Sequence, residues 1–354
     1  MPHYLFHLLA FSLACAIVLI TTPIVRQVGL TRGLVDQPGA RKVHDQPMVR
    51  LGGVSIFIGS TLALIAVWRL GGFIDAQGQI LNPQAEYEIW GVTIGGLLFF
   101  CIGLADDLFN LSAIVRLLLQ TTVASLVWSI GGVQVNVLSV PFGDMIELSE
   151  PVSWIVTILW LVGMTNAINW IDGLDGLAAG VSGIAATIML FVCLFADRPA
   201  AALIAAALAG GTLGFLRYNF NPAQIFMGDG GSYYLGFTLA AVGIVGLIKS
   251  STVTAVLLPY VILAVPIVDM SAVIIDRLRS GNSPFIADKR HLHHRLLSAG
   301  LSHRSTVLFI YCLTLWVGSL ALAFAGIPSG LAYVIGTTLL LIYTGFLCWR
   351  QREN

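Results

Sequence analysis

Charge is what this sequence has least of. Only 10% of its 354 residues are Asp, Glu, Lys or Arg, against about 25% in an ordinary soluble domain. The 18 basic and 18 acidic residues cancel, so the chain has no excess of positive charge with which to hold a nucleic acid. Cysteine is scattered: Cys15, Cys101, Cys193, Cys312 and Cys348 lie singly in apolar runs. With no CxxC pair, neither a zinc site nor a disulfide framework is indicated, and the five read as small buried hydrophobes. Internal repeats and low-complexity tracts are missing too. These absences exclude a soluble cytosolic enzyme, a disordered chain and a nucleic-acid binder.

Long apolar runs are what remains. Hydrophobic residues make up 57% of the chain, and the mean hydropathy is +0.89. Crossing a bilayer takes about 20 apolar residues as a helix. Eleven such runs lie near 4–25, 51–70, 89–105, 113–131, 152–169, 176–196, 200–217, 231–249, 253–275, 306–325 and 330–349. The first reads as a retained helix and not a signal peptide, because it lacks a basic start and a small-residue cleavage site. Of the 18 Lys and Arg residues, 15 fall on the side that holds the C-terminal tail. By the positive-inside rule the N-terminus is then outside and the C-terminus cytoplasmic. On the outer side, 133–148 alternates around Pro141-Phe142-Gly143-Asp144 and predicts a short β-hairpin; 71–88 reads as a polar loop. The expected fold is an all-α integral membrane protein, one domain over 1–354. It is a bundle of about eleven transmembrane helices with cytoplasmic active-site loops and a small extracytoplasmic β-hairpin.

Polar groups at membrane depth are costly and mark function. Here they gather at the inner ends of the runs, in five clusters. Arg41-Lys42-Val43-His44 leads to Pro47 and Arg50-Leu51-Gly52-Gly53. Gly103 to Asn110 contains Asp106-Asp107. Asn166 to Gly176 contains Asn169, Asp172 and Asp175. Asn219 to Ser232 contains Phe226-Met227-Gly228-Asp229. The last cluster is His291-Leu292-His293-His294-Arg295. Their confinement to one face points to a single cytoplasmic active site.

Each cluster has a chemical and a plainer reading. Adjacent carboxylates raise each other's pKa unless a cation intervenes, so Asp106 and Asp107 point to a base, a Mg²⁺ ligand or both; the plainer reading is an N-cap for the next helix. Asn169, Asp172 and Asp175 would share a helix face at their spacing of three, but the interleaved glycines argue for a broken helix. The glycine-rich turn at Asp229 opens a helix, so its N–H groups are placed to meet phosphate oxygens and its carboxylate to hold Mg²⁺. His291, His293 and His294, beside Lys289, Arg290 and Arg295, make a better anion cradle than a zinc site, which would need a fourth ligand. Asp276 reads as a solvated helix end and Asp269 as a residue that orients a neighbouring group, and both are left outside the core site. Together these residues fit Mg²⁺-dependent chemistry on a phosphorylated substrate, with a lipid as second partner.

In order, RKVHDQPMVRLGG, GLADDLFN, NAINWIDGLDGLAAG, NPAQIFMGDGGS and HLHHRL resemble the polyprenyl-phosphate N-acetylhexosamine-1-phosphate transferases over nearly the whole chain. The resemblance implies transfer of a sugar-1-phosphate from a UDP-N-acetylhexosamine to undecaprenyl phosphate in a bacterial cytoplasmic membrane, releasing UMP and starting an envelope glycan. It implies Mg²⁺, with Mn²⁺ as the alternative ion, and allows a homodimer. By the same resemblance Asp229 binds the metal, Asp106 contacts the lipid phosphate as a base or through its charge, and Asp107 assists and ligates. Asn219, Phe226 and Asp175 line a uridine pocket, and Asn169 and Asp172 lie near the diphosphate. His291, His293, His294 and Arg295 hold the sugar-phosphate end. Lys42 matches the basic position of the first inner loop.

His-Leu-His-His and an eleventh span favour the branch using UDP-N-acetylglucosamine over the phospho-muramoyl-pentapeptide branch, which resembles a ten-span bundle with three successive histidines. An intramembrane aspartyl protease also uses two membrane aspartates, one in a Gly-x-Gly-Asp setting, but Met227-Gly228-Asp229 lacks the first glycine, and the histidine loop has no role there. A transporter with broken helices would show inverted repeats and polar groups at mid-membrane.

Overall fold

The computed structural model describes residues 3–36, 47–139, 145–248, 253–281 and 290–353. Among them, ten helices are long and apolar enough to cross a membrane, and a bent pair brings the number to eleven. In chain order these are α1 (His3–Thr31), α2 (Gly52–Arg69), α3 (Pro83–Phe109), α4 (Ala113–Ile130), α5 (Glu150–Ile171), α6 (Leu177–Phe195), α7 (Pro199–Asn219), α8 (Gly228–Gly243, continued by a π-helical segment Ile244–Ile248), α9 (Val253–Ile262) with α10 (Ala264–Arg279), α12 (His303–Phe324) and α13 (Gly330–Glu353), with a short α11 (Leu292–Ser298) between α10 and α12.

Three expectations shift. The third span begins at Pro83, not near Ile89: the Asn82 side chain accepts the Ala85 N–H at 2.8 Å and Pro83 sits at the first helical position, a start signal inside what read as loop. The ninth run is not one straight span. It bends by 72° between Val256–Ile262 and Ala264–Arg279, because Pro266 has no N–H for the Ile262 carbonyl and its ring crowds that oxygen. The inner basic loop is not wholly irregular, since it contains α11. Two small antiparallel ladders also form. β1 (Val35–Asp36) pairs with β2 (Met48–Val49), and β3 (Val137–Ser139) pairs with β4 (Met145–Glu147) in the register Val137↔Glu147. The turn predicted at 140–144 lies outside the described residues.

Helix α8 is the axis of the bundle. Apart from half-buried Asp229 its residues are buried, and it packs against α2, α3, α5, α6 and α7. Such crowding requires small residues where backbones cross. A β-carbon on Gly53 would fall on the backbone of Gly231, and one on Gly103 would fall on the Asp229 carbonyl. Gly236 likewise lets α8 meet the backbone of Thr165 on α5. Helix α7, rich in alanine, packs in the same way against α1, α2 and α6.

These contacts can be tested by size. Gly103→Ala is expected to cost about 1–3 kcal/mol, the usual range for overpacking, read as a lower melting temperature in detergent. Gly163→Ala, where an added β-carbon meets nothing within 4 Å, is expected to leave the melting temperature unchanged or raise it.

Candidate active site

The first N–H groups of any helix have no partner within it. In α8 two of them are satisfied from another helix: Asp107 Oδ1 accepts the Asp229 N–H and Oδ2 accepts the Gly230 N–H, both at 3.0 Å. Asp107 thus caps α8 across the bundle from the last turn of α3. Asp229 points from the same turn. Its Oδ1 accepts a hydrogen bond from Asn169 Nδ2 at 2.8 Å, and the same amide donates to Ser232 Oγ at 3.0 Å. Arg50 lies against both carboxylates, its Nη2 3.8 Å from Asp107 Oδ1 and 3.8 Å from Asp229 Oδ1. Burial works against the Arg50 charge, but the two aspartates outweigh it and hold the guanidinium firmly protonated.

Asp106 faces a different set of partners. Its Oδ1 accepts the Leu111 N–H at 2.8 Å, while Oδ2 accepts Arg116 Nη1 at 2.7 Å and the Tyr233 hydroxyl at 3.3 Å. The plainer sequence reading of the acidic pair does not hold, because Ser112 caps α4. The helix that carries the pair ends where Asn110 turns left-handed, with φ 51°.

The glycine-interrupted motif is a break between α5 and α6, as the glycines imply. Helix α5 stops at Ile171, Asp172 follows, and Gly176 at φ 78° leads into α6. Burial raises the Asp172 carboxyl to about 7, and the Asp229 charge adds to the shift. Asp175 Oδ2 accepts Asn221 Nδ2 at 2.9 Å and the Ala223 N–H at 3.0 Å. Asn219 is buried and spends both polar ends on backbone, accepting from Gly176 N and donating to the Ile225 carbonyl. Asp175 and Asn219 therefore brace the loop that carries half-buried Phe226. Arg304 adds a further bond, from Nε to the Asn221 carbonyl at 3.2 Å.

The histidines form the third wall. His291 is the N-cap of α11, and its Nδ1 lies 2.8 Å from Asp269 Oδ2. Asp269 Oδ1 accepts the Leu292 N–H at 2.7 Å, so one buried carboxylate on α10 orients both the ring and the helix start. His293 stacks on His291 with ring centroids 5.8 Å apart and the planes within 7°. It packs against Gly173, where a β-carbon would strike its Nε2. His293 is buried, and that burial, together with His294 and His291, pushes its pKa down to about 3. His294 lies 4.3 Å from the His293 ring, and Arg295 is exposed.

Asp106, Asp107, Asn169, Asp172 and Asp229 thus come together, the histidines abut them through Gly173, and Asp175, Asn219 and Phe226 flank the loop. Lys42 lies outside the described residues. The sequence places Arg50 in the first polar cluster but assigns it no role, and it leaves Arg116 and Tyr233 out of the site; Asp269, left outside the core as a residue that orients a neighbour, orients His291. Among the described residues no group of three or more His, Cys, Asp or Glu is set to cage a metal ion. Asp229 and Asp107 still fit Mg²⁺, which is commonly held by one or two carboxylates and completed by substrate phosphates and water.

Two outcomes follow from the geometry. Asp107→Asn keeps one acceptor for two N–H donors and Asp107→Ala keeps none. Stability is expected to fall in that order, by about 1–3 kcal/mol for each buried donor left unpaired, read as a lower melting temperature. His293 stays neutral in the folded protein down to about pH 3, whereas the unfolded chain protonates it near 6.5. Its stabilising contribution is therefore full above pH 6.5 and is lost as pH falls toward 3. His293→Gln is expected to flatten the fall in melting temperature across that window.

The profile of glycosyl transferase family 4 matches residues 89–247, a stretch that contains the acidic pair, the glycine-interrupted motif and the Asp229 turn. Among similar proteins, the probable undecaprenyl-phosphate N-acetylglucosaminyl 1-phosphate transferase of Bacillus subtilis is 41% identical, over 85% of this chain and 80% of its own length. The decaprenyl-phosphate N-acetylglucosaminephosphotransferase of Mycolicibacterium smegmatis is 36% identical over 93% of this chain and 84% of its own. The undecaprenyl-phosphate alpha-N-acetylglucosaminyl 1-phosphate transferase of Escherichia coli K12 is 29% identical over 80% and 75%. With that extent of identity and the motifs drawn to one helix terminus, the chain belongs to glycosyl transferase family 4, the polyprenyl-phosphate sugar-1-phosphate transferases its sequence resembles.

Proposed function

We propose that this protein transfers N-acetylglucosamine-1-phosphate from UDP-N-acetylglucosamine to undecaprenyl phosphate. An oxygen of the lipid phosphate bonds to the sugar-bearing phosphorus, the bond from that phosphorus to the bridging diphosphate oxygen breaks, and UMP leaves with the electron pair. The observation that carries this reading is the convergence of Asp107, Asn169, Asp229 and Arg50 on the first turn of α8, in a chain whose similar proteins bear transferase names of this kind.

The residues divide the work. Asp229 and Asp107 would hold Mg²⁺, which when bound neutralises the diphosphate and polarises its oxygens. Arg50 supplies a further positive charge at the same place. A phosphate monoester is already largely dianionic at neutral pH, with its second pKa near 6, so the nucleophile needs no dedicated base. Asp106, with Arg116, Leu111 N–H and Tyr233 on its two oxygens, serves to fix Arg116. The lipid phosphate then meets the Arg116 guanidinium near Phe109, Ile114 and Leu118, apolar side chains exposed at the bundle surface. Phe226 stacks on the uracil ring. His291, held by Asp269, and His294 donate to the sugar-phosphate oxygens, where a donor counts most as charge develops. The positive-inside asymmetry supports a cytoplasmic position for this face.

The test is UMP release by purified protein in detergent with undecaprenyl phosphate and Mg²⁺. UDP-N-acetylglucosamine is expected to support it and the muramoyl-pentapeptide nucleotide is not; the reverse result would move the chain to the peptidoglycan branch. Asp229→Ala is expected to lower turnover by at least a thousandfold at an unchanged melting temperature, and activity within tenfold of wild type would end the metal assignment.

A further inference from the structure

We propose that Arg50 is a displaceable counter-ion that keeps the Asp107–Asp229 site closed to a free divalent cation until a nucleotide diphosphate arrives to take the guanidinium over. The inference rests on the reading of Asp229 and Asp107 as the metal ligands.

Three observations carry it. The first is distance. Arg116 touches Asp106 at 2.7 Å, within hydrogen-bond range, whereas Arg50 stands 3.8 Å from both of its carboxylates. N–H···O bonds end near 3.2 Å, so Arg50 is held by charge and not by directional bonds. The second is the way its root is fixed. The Val49 carbonyl accepts the Phe226 N–H at 2.8 Å, the Gly52 N–H donates to the Phe226 carbonyl at 2.9 Å, and the Gly53 N–H donates to the Met227 carbonyl at 2.8 Å. Gly228 has no β-carbon, which lets the Arg50 carbonyl lie directly against it. The backbone at Arg50 is therefore laced to the strand of chain that delivers Asp229, while the side chain keeps 43% of its surface exposed. It can swing about a fixed point. The third is charge. Asp229, Asp107, Asp36 and Asp172 all act on Arg50, and this guanidinium offsets the repulsion between the carboxylates around it.

A divalent cation binding those oxygens meets a resident positive charge. Without a nucleotide the two compete and the metal is held weakly. A diphosphate changes the balance, because the guanidinium fork matches phosphate oxygens better than a carboxylate 3.8 Å away. Once Arg50 turns to the diphosphate, the carboxylates are freed for the metal. Metal and nucleotide then strengthen each other by the same factor, as linkage requires. Arg50 acts here as a positioning residue that makes metal loading depend on nucleotide.

The experiment measures Mn²⁺ binding to the purified full chain in detergent by the electron paramagnetic resonance signal of the free ion, with no lipid and no turnover. Wild type, Arg50→Gln, Arg50→Lys and Asp229→Asn are compared with and without UDP, after subtracting Mn²⁺ bound by UDP alone. Melting temperatures establish that each variant is folded. Without UDP, Arg50→Gln is expected to bind Mn²⁺ at least tenfold more tightly than wild type, and Arg50→Lys to stay near wild type. UDP is expected to tighten Mn²⁺ binding in wild type at least tenfold, and in Arg50→Gln far less. If wild type with UDP binds Mn²⁺ in an Asp229-dependent way but Arg50→Gln alone binds no more tightly than wild type alone, the counter-ion role is overturned and the metal reading stands. If Asp229→Asn binds as wild type does, or wild type binds no Mn²⁺ even with UDP, the metal reading falls and this inference with it.

Discussion

The rest of the site depends on one carboxylate. Asp107 closes the open end of α8 by accepting the N–H groups of Asp229 and Gly230. A buried helix terminus without such partners would leave several polar groups unsolvated, each costing about 1–3 kcal/mol. Capping from α3 solves that problem and at the same time sets the distance between the two acidic residues. Asp107 and Asp229 end up beside each other because one must hold the helix on which the other rides. Arg50 then compensates the charge that this arrangement concentrates.

The cap requires close backbones. Gly103 lets α3 lie on the Asp229 carbonyl, and Gly53 lets α2 lie on Gly231. A larger residue at either place would push α8 away from its neighbours and pull the motif residues apart. Glycine near the site is thus a packing device as much as a turn device. The same holds for Gly173, whose missing side chain lets the His293 ring pack directly against the break between α5 and α6.

Broken helices supply the remaining geometry. The interruption between α5 and α6 brings Asp172 out of helical register and lets Asp175 and Asn219 brace the loop before Phe226. The bend of 72° between α9 and α10 turns Asp269 toward the histidine helix. Asp269 binds both the His291 ring and the Leu292 N–H. A carboxylate that the sequence leaves outside the core site, as one that orients a neighbour, therefore sets the orientation of the motif that follows it.

Much was legible from residue order. The scarcity of charge and the runs of about 20 apolar residues determined a helical membrane protein, since a lipid-exposed backbone must satisfy its own hydrogen bonds. The five polar clusters, all at one predicted face, determined that Asp106, Asp107, Asp229 and the histidines would belong to one site. Local spacing can do this because span length and side alternation are properties of the chain alone. Tertiary structure alone decided which group each carboxylate faces. Asp106 and Asp107 are neighbours in sequence, yet they take different partners. One meets Arg116 and the Tyr233 hydroxyl, and the other meets the first N–H groups of α8, more than a hundred residues away. Arg50 stood in a polar cluster and Asp269 in an apolar run, but neither position named its partner, because the partners come from other segments. The physical reason is that charge pairing and helix capping act through space, over distances of a few ångströms that only packing creates.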